Sequence, residues 1–108
     1  MTEEQVRLMR KRKRKAVVNC SHFQLVFAWS ETDINGCHCE FKIFRHYFGW
    51  LAAVARFPTN GENGRKFGFV AAEVKNGQTN DDVKWRLFGI KDFWLDMSQE
   101  DCEALWRS

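Results

Sequence analysis

Two cysteine–histidine groups stand in the first half of the chain, Cys20 and His22 in NCSHFQL and Cys37, His38 and Cys39 in NGCHCEF. Thiolate and imidazole are the ligands of tetrahedral zinc, so the first question is whether these groups can close on one metal ion. Closure needs a hairpin with Cys20 opposite Cys39 and His22 opposite Cys37, a register in which paired residue numbers sum to 59. The hydrophobic pattern opposes that register. Phe23, Leu25, Phe27 and Trp29 alternate with Gln24, Val26, Ala28 and Ser30, while Cys37, Cys39, Phe41 and Ile43 alternate with His38, Glu40 and Lys42. Opposed residues in an antiparallel pair share a face. Two odd-numbered apolar sets therefore require an even sum. A three-residue loop, Ile34-Asn35-Gly36, with Gly36 in the left-handed region, gives 70.

In that register Trp29 faces Phe41 and Phe27 faces Ile43 on a buried face, and Cys20 and His22 fall on the opposite side from Cys37 and Cys39. The expectation is no metal and no cofactor. Cys39 reads as a small core residue, with Cys37 and His38 partly exposed at the turn.

The remaining acid–base candidates are the histidines. With paired numbers summing to 70, His46 lies opposite Gln24 and diagonal to His22 on the outward face, where two imidazoles and an amide can take an anion or move a proton. A solvated polar face is the plainer reading. The chain has no Gly-rich phosphate loop, no nucleophile elbow and no carboxylate pair set by spacing. Asp81, Asp82, Asp92 and Asp96 read as loop and turn acids. No catalytic residue is assigned, and the expectation is a non-enzymatic binding module.

Charge placement suggests what is bound. Net charge is +3, but residues 1–15 carry Arg7, Arg10, Lys11, Arg12, Lys13, Arg14 and Lys15 against Glu3 and Glu4, a local +5. The rest of the chain sums to −2. The basic run can neutralise phosphates and release their counterions. Aromatic residues left on the surface can stack on bases, and Phe44, Phe48, Trp50 and Trp94 are the candidates. Nucleic acid is thus the first expected partner. A protein partner, met by an accessory or inhibitor module through exposed aromatics, is the alternative, and a small-ligand domain is a third possibility. A homo-oligomer is compatible with any of these. Basic residues on the expected strands are sparse: Lys42, Arg45, Lys84 and Arg86.

These residues must be positioned by a single domain, since 108 residues leave no room for a second core. Apolar residues make up 44% of the chain and aromatics 15%, enough to build that core without disulfides. FGWLAAVARF, the longest apolar stretch, is too short for a bilayer. Reduced thiols and the lack of a signal-peptide pattern give a cytoplasmic, non-membrane expectation.

Thr2 and Gln5 form a capping box for a basic helical arm over residues 1–15. Residues 16–108 then read as one α+β domain: an antiparallel sheet of about five strands, curved or a partial barrel, with a C-terminal helix packed on one face. The strands are expected over 23–30, 37–43, 48–57, 66–75 and 83–90, separated by Asn-Gly turns, with Pro58 ending the third. Ser98 caps the helix SQEDCEALWRS. Phe48-Gly-Trp-Leu-Ala-Ala and Phe67-Gly-Phe-Val-Ala-Ala echo one another, most simply as strands of a meander with similar spacing.

Overall fold

The computed structural model describes residues 19–61, 64–89 and 94–108; the basic arm over residues 1–15 lies outside them. Four strands run in sequence order across one open antiparallel sheet: β1 (Phe23–Thr32), β2 (His38–His46), β3 (Leu51–Gly61) and β4 (Gly64–Val74). Two helices follow, α1 (Asn80–Phe88) and α2 (Gln99–Arg107). The architecture is α+β, and the sheet does not close into a barrel.

The first hairpin has the register that its apolar alternation requires. Trp29 pairs with Phe41 and Phe27 with Ile43, so paired numbers sum to 70. Asp33 and Cys37 flank the Ile34-Asn35-Gly36 loop, where the Asp33 N–H donates to the Cys37 carbonyl (2.9 Å) and Gly36 adopts φ 81°. The Asp33 carboxylate holds the turn by accepting from the N–H groups of Asn35 and Cys37, each at 2.9 Å.

The register then slips at Val26. A bulge between Leu25 and Phe27 pairs Phe23 with His46, Gln24 with Arg45 and Leu25 with Phe44. The expected pairing of His46 with Gln24 is corrected accordingly. One extra residue in a strand inverts which side chains share a face beyond it. Phe23 and Leu25 therefore stand on the α2 side of the sheet, and Phe27 and Trp29 on the α1 side.

The segment 83–90, expected as a fifth strand, is helical through Phe88. Thr79 is the reason: its hydroxyl accepts from the Asp82 N–H (3.2 Å), and the Asp82 carboxylate accepts from the Thr79 N–H (2.9 Å), which closes a capping box. That hydrogen bond also holds the Asp82 carboxyl below its usual pKa. Asp81 and Asp82 are thus acids of a helix's first turn rather than of a loop. Val83 and Leu87, four residues apart, face inward, while Trp85 is 62% exposed.

Both faces of the sheet are packed. On one, Phe41, Ile43, Ala53, Ala55, Ala72 and Val74 meet Val83 and Leu87 of α1. On the other, Phe44, Val54, Phe69 and Ala71 meet Cys102, Leu105 and Trp106 of α2. Ala52, Ala53, Val54 and Ala55 of β3 are each 0% exposed, so this strand is buried on both sides. Pro58 does not end β3, which runs to Gly61. The β2 pairing stops at Glu40–Arg56, and beyond it β3 pairs with β4 alone, so a residue without an N–H is tolerated there.

The two echoed Phe-Gly pairs occupy different places. Gly49 sits in the β2–β3 turn with φ 99°, whereas Gly68 lies within β4 opposite Phe57, whose ring fills the space a Cβ would need. They serve a turn and a close approach, respectively, in a simple meander.

Candidate nucleic-acid interface

At one end of the sheet the β2–β3 turn meets the segment that leads into β1. The turn repeats the geometry of the first hairpin: the His46 N–H donates to the Trp50 carbonyl (2.8 Å), and the Gly49 N–H donates to the His46 carbonyl (2.7 Å). Glycine takes the left-handed position without strain. Tyr47 and Phe48 are left at the tip, 62% and 74% exposed, with ring centroids 4.1 Å apart.

Behind the tip, the rings of His46 and Trp50 stack at 4.6 Å and 17°. Phe23 reaches across from β1 and meets both edge-on, at 5.0 Å and 5.7 Å. This contact exists because the Val26 bulge puts Phe23 on the same face as His46. The approach to β1 is held by Asn19, whose side-chain oxygen accepts from the N–H (3.1 Å) and the hydroxyl (2.7 Å) of Ser21. It caps the short 3-10 turn Cys20–His22. The Tyr47 N–H donates to the His22 carbonyl (2.9 Å), which brings the His22 ring within 4.7 Å of Tyr47 and 5.9 Å of His46.

Six rings thus converge: His22, Phe23, His46, Tyr47, Phe48 and Trp50. The Phe48 N–H donates to His46 Nδ1 (3.2 Å), so neutral His46 carries its proton on Nε2. A cavity of about 180 Å³ separates part of the cluster from Leu95, Asp96 and Met97, and Asn19, His22, Phe23, His46 and Trp50 form its other wall. Such a surface offers ring faces for stacking together with donors and acceptors from imidazole and amide.

Several cations among the described residues are engaged within the fold. Lys42 donates to the Trp106 carbonyl (2.7 Å) and lies 4.4 Å from the centre of that residue's ring. Arg56 is ion-paired with Glu40 and lies over Phe67. Lys84 bridges Glu31 (3.0 Å) and Asp81 (3.1 Å). Arg45 is exposed on β2 next to His46. A larger cavity, about 400 Å³, lies on the α1 side, but Glu31 and Asp33 line it with Lys84 as the one cation.

Among the residues singled out from sequence, Phe48 and Trp50 come together in this cluster. Phe44 does not: it is 1% exposed in the core, because it alternates with Ile43 along β2 and so faces α2. Phe44 is therefore withdrawn as a surface contact. Trp94 is 44% exposed and bridges to Ala72 beside β4 rather than joining the turn. Arg7, Arg10, Lys11, Arg12, Lys13, Arg14 and Lys15 lie outside the described residues. Tyr47 was missed, although the aromatic run His46-Tyr47-Phe48 ahead of a glycine was a readable sign of an exposed aromatic turn.

The cysteines are dispersed. Cys20 is in the 3-10 turn, Cys37 is exposed in the first hairpin, Cys39 pairs with Glu31, and Cys102 is buried on the sheet-facing side of α2. Burial pushes the Cys102 thiol up to about 12, and burial followed by nearby Asp33 raises that of Cys39. Among the described residues no three His, Cys, Asp or Glu side chains are grouped as a metal would require. No family model, curated protein or solved structure matches this chain.

Proposed function

We propose that the protein is a non-enzymatic module for single-stranded nucleic acid, in which the basic run Arg7–Lys15 holds phosphates and the aromatic turn stacks bases. The observation that carries this reading is the place where the run joins the fold. Asn19 is part of the wall shared by His22, Phe23, His46 and Trp50. Lys15 precedes it by four residues, and a chain spans at most ~3.5 Å per residue, so Lys15 is within reach of the rings. Backbone neutralisation and base stacking are the two components of sequence-tolerant single-strand binding. The arm carries the densest group of cations in the chain.

The test is deletion of residues 1–15, with affinity for a single-stranded oligonucleotide followed against salt. If four or five phosphates are neutralised, log K falls with a slope of about −3 against log salt, at roughly 0.7 per phosphate. The deletion should remove most of the affinity and leave the melting temperature nearly unchanged. Full binding by the truncated chain would move the site onto the sheet, and no binding by the intact chain at low salt would favour a protein partner.

A further inference from the structure

The two edges of the sheet are treated differently. Along β4, the Gln99 side chain accepts from the Phe69 N–H (2.9 Å) and donates to the Phe69 carbonyl, in place of a neighbouring strand. The Leu95 N–H donates to the Ala71 carbonyl (2.9 Å), and Trp94 bridges to Ala72. Along β1, among the described residues, no strand or side chain pairs with the outer edge. Since Asp33 bonds inward at the turn, alternation makes Glu31, Trp29 and Phe27 bond inward as well, so Ala28 and Ser30 turn their N–H and C=O groups outward.

Natural edge strands are twisted away by a bulge, as at Val26, or blunted by charge or proline. From Phe23 to Ser30, β1 carries neither. Leu25, Val26 and Phe27 are 48%, 41% and 49% exposed, consecutive in sequence and spread over both faces by the bulge. An edge of this kind is built to be covered.

We infer that β1 pairs antiparallel with β1 of a second copy, about a two-fold axis near Ala28, and so makes one continuous eight-stranded sheet. Three observations favour a copy of this chain. The strand is uncharged from Phe23 to Ser30, and Glu31 would face an apolar residue of the copy rather than its own counterpart, so identical segments approach without repulsion. Antiparallel self-pairing sets Ala28 and Ser30 against the same outward groups of the copy and covers Leu25, Val26 and Phe27 on both sides at once. Pairing β1 with β1 also uses up the free edge, because β4 is already capped; the assembly therefore closes at two rather than extending into a fibre. The aromatic turns, at the Phe23 end of each strand, would then stand at opposite ends of the joint, giving the dimer two separate nucleic-acid sites.

Sedimentation velocity on the intact chain over a range of concentrations tests this, beside Val26→Lys and Ala28→Lys. Both substitutions replace exposed side chains and put a charge on the joint, and Ala28→Lys sets like charges against each other at the axis. A wild-type dimer and monomeric variants with unchanged circular dichroism are expected. Amide hydrogen exchange on the wild type gives a second readout that needs no variant: the Ala28 and Ser30 N–H groups should be protected, and their protection should fall on dilution. A monomeric wild type, dimeric variants, open-ended assemblies that grow with concentration, or Ala28 and Ser30 amides that exchange freely would each overturn the inference.

Discussion

His46 and Trp50 close the β2–β3 turn from both sides, paired through the backbone and stacked through their rings at 4.6 Å. The stack makes the turn a rigid mount for two exposed rings, Tyr47 and Phe48, that the fold itself does not bury. A separation of roles follows. Trp50→Ala should lower stability by about 1–3 kcal/mol, since a half-buried ring loses contact with both His46 and Phe23. Phe48→Ala, at an exposed tip, should stay within about 0.5 kcal/mol. Chemical denaturation of the two variants measures the difference; equal losses would mean that Phe48 packs into the fold.

The first hairpin predicts a similar asymmetry between directly paired residues. Ile43 is 9% exposed beneath α1, whereas its partner Phe27 on the edge strand is 49% exposed. Ile43→Ala should cost about 2–5 kcal/mol. Phe27→Ala should cost clearly less in the monomer, because half of its ring already faces water. Thermal melts at low protein concentration decide this, and a larger loss at Phe27 would place the core on the wrong side of β1.

That asymmetry also marks the limit of what the sequence made legible. Period-two alternation and the Asn-Gly turns fixed strand positions and the register of the first hairpin, because a one-residue slip would have exposed a whole apolar face. The same pattern could not reveal that α1 lies over β4 and β3 rather than over β1, which left Phe27 half exposed. Nor could it locate the bulge at Val26, a residue that reads as an ordinary member of an alternating strand. Phe44 was misplaced because alternation does not show that α2 covers the face opposite Ile43. The error over 83–90 had a different origin: Val83, Trp85 and Leu87 satisfy a strand period, yet Val83 and Leu87 equally satisfy a helical one, and the Thr79–Asp82 cap decided the matter. The unbroken run Leu-Ala-Ala-Val-Ala was in fact the sign of a strand buried on both faces. The aromatic site was legible only as a list of candidates, since the contact between Phe23 and His46 depends on the bulge.

Thiol chemistry provides a check on the packing of α2. Cys102 is 1% exposed, and burial pushes its thiol up to about 12, while Cys37 is exposed. Only the thiolate reacts, so at pH 8 a maleimide should label Cys37 in the native protein and leave Cys102 untouched until denaturant unfolds the domain. Mass mapping of the labelled sites gives the answer. Labelling of native Cys102 at the rate of Cys37 would show that α2 does not cover the sheet as described.

The central claim is that the aromatic turn and the basic run act on one ligand through different forces, and the most direct measurement is a salt titration of oligonucleotide binding by Tyr47→Ala/Phe48→Ala beside the intact chain. Base stacking contributes about 1–3 kcal/mol per base, so the double variant should bind a single-stranded oligonucleotide about tenfold or more weakly at every salt concentration. Its slope against log salt should match that of the intact chain, since no phosphate contact has been removed. An unchanged affinity in the double variant would contradict the account, because the rings would then play no part in binding.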